Sequence, residues 1–206
     1  MKTLTHMLAA TLLMSLSLAT QAADLSQLQS RWAEIRYQLP AEKQAEGYAS
    51  LAAEAETLVR SEPENAAALI WQGIVLSSWA GAEGGLGALA KAKRAKSALE
   101  RALEIDATAL DGSAYTSLGA LYYQVPGWPL AFGDRKQAEK LLLQALEINP
   151  DGIDSNYFWG DYLVREKRYA EARSALLKAQ AAPARPGREL ADRGRQDEIL
   201  LLLERL

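Results

Sequence analysis

The amino-acid sequence predicts an all-α fold, a right-handed solenoid of helical hairpins closed by a C-terminal capping helix. First, a set of small and large residues recurs after 34 positions, the length of a repeated helix–turn–helix unit. The two sets are Ala138, Leu142, Ala145 and Ala172, Leu176, Ala179. Second, a proline closes each set, at Pro150 and Pro183. Third, residues that favour helices dominate the chain, and no segment alternates with the period of two expected of a strand.

Helix periodicity and turn residues divide the chain into an export signal, residues 1–22, and a single helical repeat domain, residues 23–206. The first repeat is degenerate, because its small and large residues are reversed in size. A glycine-rich segment, Gly81 to Gly87, is predicted to form a long loop inside the second repeat. The predicted repeats span about 25–63, 65–107, 112–150 and 153–183, and the capping helix spans 188–206.

Residues 1–22 have the features of a secretory signal peptide. Lys2 provides a basic start, an apolar run extends from Met7 to Leu18, and small residues precede a cleavage point near Ala22. The apolar run is shorter than the roughly 20 residues that span a membrane. We therefore expect cleavage of the signal, a periplasmic location in a bacterium with an outer membrane, and no stable membrane insertion afterwards.

Composition excludes several classes of function. The chain has no cysteine, and its one histidine, His6, lies in the predicted signal peptide. The predicted domain therefore lacks the residues of Ser-His-Asp and Cys-His catalysis and the usual ligands of zinc, copper and haem. The net charge of −3 argues against a nucleic-acid partner, which needs a basic face. We expect no catalytic residues, no metal and no cofactor.

Candidate binding residues lie on the first helices of the third and fourth repeats, which are expected to line a concave face. Aromatic rings with a polar tip, a carboxylate and a guanidinium suit a groove for a peptide or a ligand. The alternative is that the two tyrosines pack against neighbouring helices. The candidates are Thr116, Tyr123, Gln124, Tyr157, Asp161 and Arg165.

An inserted loop, residues 125–134, adds Trp128 and Phe132 as further candidates. Either the loop folds over one end of the groove and offers an aromatic wall, or Trp128 anchors the loop to its own repeat. In the tail, arginines alternate with acidic residues, a mixture that predicts a solvated helix face. These arginines are Arg185, Arg188, Arg193 and Arg195. The leucine run 200–203 covers more than one helix face, so it either seals the end of the solenoid or meets a partner.

The 34-residue repeat resembles the tetratricopeptide repeat. Three further segments, residues 125–134, 145–158 and 182–189, resemble a group of exported bacterial tetratricopeptide-repeat proteins similar to the T component of TRAP transporter systems. The resemblance covers roughly residues 65–206. It implies an all-helical periplasmic protein that binds a transporter's substrate-binding protein, a hydrophobic ligand, or both. T components usually carry an N-terminal lipid anchor, and this chain has no cysteine to bear one.

Two functional hypotheses follow. The first is a periplasmic adaptor, a transporter accessory or an envelope scaffold, whose partner is a substrate-binding protein or another envelope protein. The second is a carrier that encloses a small apolar ligand within the solenoid.

Overall fold

The computed structural model describes residues 25–206, so the predicted signal peptide lies outside the described residues. Within this range the chain folds into consecutive helices. They are α1 (25–37), α2 (Ala41–Ser61), α3 (Ala66–Glu83), α4 (Gly85–Ile105), α5 (Ala109–Gln124), α6 (Arg135–Ile148), α7 (Ile153–Arg165), α8 (Tyr169–Gln180) and α9 (Glu189–Leu203). From α2 onward, each helix contacts the next helix of the sequence. The predicted all-α hairpin solenoid is confirmed.

The first helices of the hairpins form one continuous surface. Helix α3 contacts α5, and α5 contacts α7. Helix α1 joins this row through Trp32, whose indole Nε1 donates to Ser78 Oγ of α3 at 2.9 Å. The Trp32 ring also meets Trp71 edge-on at 5.9 Å. We call the surface formed by α1, α3, α5 and α7 the inner face.

A glycine–leucine contact sets the spacing of three hairpins. A Cβ built on the first-helix glycine would come within 2.5–2.8 Å of the leucine Cγ on the second helix, closer than real Cβ contacts. All three leucines are fully buried. A larger side chain at these glycines would overpack the contact and push the helices apart. The pairs are Gly73–Leu99, Gly119–Leu142 and Gly160–Leu176.

The prediction of a long loop from Gly81 to Gly87 is wrong. Helix α3 continues to Glu83, and α4 begins at Gly85. Gly84 and Gly85 both adopt the left-handed region, with φ of 65° and 63°, so two residues complete the reversal. Glycine reaches this region without a steric penalty, which lets both helices extend into the glycine-rich segment.

Candidate functional site

The C-terminal helix α9 crosses the inner face and connects the first hairpin with the last. At its start, the Arg188 guanidinium lies 5.0 Å from the centroid of the Trp71 ring on α3. Further along the helix, Gly194 packs so closely on Tyr37 of α1 that an added Cβ would lie 2.3 Å from the ring. Near its end, Ile199 is fully buried against α7 and α8. The predicted capping helix therefore covers more than the last repeat.

Arg195 of α9 is buried, with 7% of its surface exposed. Its Nε donates to Asp154 Oδ1 at 2.8 Å, and its guanidinium pairs with Glu198. The same guanidinium lies 4.1 Å from the Tyr157 ring centroid and 4.8 Å from that of Phe158. The expectation of a solvated basic face is wrong for this residue, since Arg195 is buried. A buried charge requires opposite charges and hydrogen-bond acceptors around it, and α7 and α9 provide them.

The ion pairs around Arg195 extend to α1 and to the segment before α9. Asp154 also accepts from Arg185 at 2.6 Å, and Glu198 accepts from Arg36 of α1 at 2.6 Å. Burial alone would raise the pKa of Asp154, but the charges of Arg195 and Arg185 outweigh it and hold that pKa well below its usual range. We call Asp154, Arg185, Arg195, Glu198 and Arg36 the arginine network.

Hydrogen bonding is incomplete where α9 meets α1 and α3. Within residues 25–206, three buried side-chain polar atoms have no hydrogen-bond partner: Tyr37 Oη, Tyr48 Oη and Arg188 Nε. Tyr37 and Arg188 belong to the contact just described, and Tyr48 lies in the same hydrophobic cluster as Trp32 and Trp71. Each such atom carries a desolvation cost that a hydrogen bond would have offset.

Four of the predicted site residues come together where α5 and α7 end. Tyr123 donates its hydroxyl to Asp161 Oδ2 at 2.8 Å, and Arg165 Nε donates to the same oxygen at 3.2 Å. The Arg165 guanidinium lies 5.2 Å from the Tyr123 ring centroid, and Gln124 Nε2 donates to the Tyr123 hydroxyl. Burial and the Asp161 carboxylate raise the pKa of Tyr123, so its hydroxyl remains a donor. We call these four residues the tyrosine cluster.

The other two predicted groove residues lie elsewhere. Thr116 is 5% exposed, in the interior of α5. Tyr157 packs against Arg195 of α9 and against Phe158, which it meets edge-on at 5.1 Å. Thr116 and Tyr157 therefore do not belong to the tyrosine cluster. Of the predicted groove, α9 covers the part at Tyr157, whereas the tyrosine cluster remains accessible at Arg165.

The inserted loop presents its apolar tip to solvent. Trp128 is 90% exposed and Leu130 is 72% exposed. Phe132 holds the loop instead, because its ring meets Tyr122 edge-on at 5.5 Å. Two backbone hydrogen bonds of 2.9 Å, Gly133 N–H to Pro126 and Asp134 N–H to Tyr122, close the loop. The alternative in which Trp128 anchors the loop is therefore wrong.

The leucine run 200–203 also has a packed part and an exposed part. Leu202 and Leu203 pack against the cluster formed by α7, α8 and Ile199. Leu200 and Leu201 remain 45% and 53% exposed. Sealing of the last repeat therefore uses only half of the run.

Two grooves lie between neighbouring helices of the hairpins. One of about 410 Å³ lies between α3 and α4, and one of about 360 Å³ involves α6, α7 and α8. Both are lined by charged side chains as well as apolar ones, including Arg94 and Arg101 in the first and Glu171 and Lys178 in the second. Within residues 25–206 no group of His, Cys, Asp or Glu could hold a metal ion, and no helix is long and apolar enough to cross a membrane.

Comparison with known proteins places the chain by its fold. No protein-family model matches it, and no curated protein does. The crystal structure of TTC0263, a thermophilic TPR protein of Thermus thermophilus, matches with a TM-score of 0.56 and 20% identity over 92% of this chain and 95% of that one. The crystal structure of MamA matches with a TM-score of 0.47 and 17% identity over 79% and 88%. The likeness to TTC0263 shows that the chain has the helical-hairpin solenoid fold of tetratricopeptide-repeat proteins.

Proposed function

We propose that the chain is an exported, non-catalytic binding module that holds a partner protein in the periplasm, as a transporter accessory or an envelope scaffold. The fold supports this proposal, because hairpin solenoids act through extended surfaces. The signal-like pattern of residues 1–22 supports export. The partner is a substrate-binding protein or another envelope protein.

The tip of the inserted loop is the observation that carries the proposal. Exposure of Trp128 and Leu130 leaves two large apolar side chains in water, although burying such side chains is worth about 1.5–3 kcal/mol each. The Phe132 contact and the loop's hydrogen bonds keep them outside the core. Tryptophan is enriched among the residues that dominate protein interfaces, and a loop whose backbone is already held loses less entropy on binding than a free one.

The tyrosine cluster provides a polar counterpart, since its members Tyr123 and Gln124 directly precede the loop. Asp161 and Arg165 satisfy each other in the free protein, and Arg165 remains half exposed. An exposed guanidinium above an aromatic ring suits a carboxylate or a backbone carbonyl of a partner. In the proposed interface, Trp128 and Leu130 would bury apolar surface against the partner, and the tyrosine cluster would fix the partner's orientation.

Site-specific crosslinking in the periplasm tests the loop. Trp128→Ser in the full chain is expected to reduce the yield of the crosslinked partner at least tenfold. Leu177→Ser is the matched control, because Leu177 is also a large exposed apolar side chain, at 48%, but lies on α8. Equal yields for the parent and both variants would remove the loop from the proposed interface.

Export is tested separately by the mass of the purified protein. Expression in a bacterium with an outer membrane, followed by osmotic shock, should release a species that lacks residues 1–22. A cytoplasmic species of full mass would contradict export.

The carrier hypothesis predicts a bound small molecule in native mass spectra.

A further inference from the structure

Helix α7 presents a built recognition site for a guanidinium on the inner face. Asp154 supplies the carboxylate, and the rings of Tyr157 and Phe158 lie within 4.1 and 4.8 Å of the guanidinium that is held there. A charge-assisted hydrogen bond combined with two aromatic faces is strong and selective for arginine over lysine. In the free protein the chain's own Arg195 occupies this site.

The apolar contacts of helix α9 lie mainly at its C-terminal end, where Ile199, Leu202 and Leu203 pack against the last repeat. The buried residues of α9 are Ala191, Gly194, Arg195 and Ile199, of which Ile199 is the one large aliphatic side chain. Within a hairpin, in contrast, the two helices pack through fully buried leucines such as Leu99 and Leu142. Ahead of Ile199 the buried residues of α9 are small or charged, so this part of the helix is positioned by the arginine network together with the partly buried Leu190.

The unpartnered polar atoms lie where α9 covers α1 and α3. Tyr37 Oη and Arg188 Nε are buried there without a hydrogen-bond partner. Burial of an unsatisfied polar group is unfavourable, and exposure to water or to a better-matched ligand relieves it. Separation of this part of α9 from the inner face would relieve that cost.

The segment before α9 allows it to leave without unfolding the last repeat. Residues 181–188 are not helical, and most of them are exposed. Gly187 in this segment has φ of 72°, in the left-handed region. Helix α8 keeps its own contacts with α7 through Leu176 and Ala179.

We propose that α9 is a displaceable occupant of the inner face, and that the external ligand of this face is an amphipathic helix of a partner protein carrying an arginine. The proposal rests on the proposed function as a protein-binding module. The resident helix defines the pattern that fits: a small residue, an arginine and an aliphatic residue at intervals of four, as in Ala191, Arg195 and Ile199. The arginine meets Asp154, and the small residue allows close approach to the inner face.

Hydrogen exchange of the unmodified full chain tests displacement directly. Backbone amides of α9 are expected to exchange at least tenfold faster than the amides of α7, because α9 opens while the repeats remain folded. Equal exchange rates in α9 and α7 would mean that α9 leaves only on global unfolding, and the proposal would be overturned.

A peptide measurement tests the recognition chemistry. A fluorescent synthetic peptide of residues 186–206 is titrated into the full chain, into the Arg195→Ala variant and into the Arg193→Ala variant, whose substituted residue is exposed on α9. The Arg195→Ala chain should bind the peptide at least tenfold more tightly than the other two. A peptide that itself carries Arg195→Ala should bind that chain at least tenfold more weakly.

Two results would refute the recognition chemistry: equal binding of both peptides to the Arg195→Ala chain, or no binding to it while its helical circular dichroism is unchanged. If that variant loses its helical signal, hydrogen exchange of the unmodified chain decides. Neither measurement uses a partner. Equal exchange in α9 and α7 together with loss of crosslinking in Trp128→Ser would refute this inference and retain the proposed function. Fast exchange of α9 together with unchanged crosslinking would retain this inference and refute the proposed interface.

Discussion

Replacement of Asp154 by Asn tests how strongly the arginine network holds α9. The substitution keeps the shape of the side chain but removes the charge that faces Arg195 and Arg185. Breaking a buried ion pair costs about 3–5 kcal/mol, because the remaining charge is left uncompensated. Here Arg195 keeps Glu198, and the Asp154 side chain is 32% exposed. We therefore expect a loss of about 2–3 kcal/mol in the free energy of unfolding.

The reciprocal change, Arg195→Met, should cost less. Asp154 retains Arg185, and Glu198 retains Arg36, so neither carboxylate loses every partner. An apolar side chain of similar length in place of a buried ion is often close to neutral in stability. In the double variant the Arg195 guanidinium is absent, so Asp154→Asn no longer removes its carboxylate partner. The loss in the free energy of unfolding of the double variant should therefore be smaller than the sum of the two single losses by about 1–2 kcal/mol.

Urea unfolding followed by helical circular dichroism measures this double-mutant cycle. The four proteins should share one m-value, so differences in midpoint report stability alone. Additive losses, within about 0.5 kcal/mol, would mean that Asp154 and Arg195 do not interact, and the description of a buried network would be refuted.

The same pair predicts a dependence on pH. The folded-state pKa of Asp154 is lowered, so the stability that it contributes is present above its unfolded pKa of about 3.9. That contribution is lost as the pH falls below about 4 towards the folded-state pKa. The stability difference between the parent and Asp154→Asn should therefore narrow on acidification, and a constant difference from about pH 7 to about pH 3 would contradict the assignment.

Two further predictions concern the hairpins and the loop. Gly160→Ala should lower the free energy of unfolding by about 0.5–2 kcal/mol in urea titrations, because the added Cβ would meet Leu176. Gly81 has open space around it, so Gly81→Ala should raise the free energy of unfolding by about 0.5–1 kcal/mol. A gain in both variants would contradict the close contact. Phe132→Ala should leave helical content unchanged but accelerate proteolytic cleavage within residues 125–134, because the edge-on contact with Tyr122 closes that loop. Trp128→Ala should leave the cleavage rate unchanged, since its side chain is exposed.

The repeat architecture could be predicted from the sequence because each hairpin is a local structure. The spacing of Ala138, Leu142 and Ala145 determines which face of α6 is buried, and all three residues are fully buried. Helix ends follow from equally local signals, such as Asn65, whose side chain accepts from Ala68 N–H as an N-cap. The glycine-rich link was missed because glycine permits a two-residue reversal as readily as a long loop.

The candidate site was only partly predictable, because the position of α9 depends on contacts distant in sequence. Tyr123 and Asp161 are 38 residues apart and meet where the first helices of neighbouring repeats lie side by side, as the solenoid architecture predicts. Arg195, in contrast, meets partners on α7 and joins α1 through Glu198, which no local pattern connects. One signal was present: Ala191, Arg195 and Ile199 are spaced by four residues and share one helix face. The alternation of charges in the tail concealed that face, since alternating charges are typical of a solvated helix.

The arginine network accounts for the register of α9 on the inner face. Leucine contacts fix the position of a helix through their shape, whereas a hydrogen-bonded ion pair also fixes it through direction and charge. Arg195 reaches Asp154 and both aromatic rings in a single register, and Arg36 reaches Glu198 only when α9 also meets α1. Since replacement of buried ion pairs by apolar groups is often neutral or stabilising, the network contributes specific placement more than stability. A helix placed by a few directional contacts is also one that a better-matched arginine-bearing helix can replace.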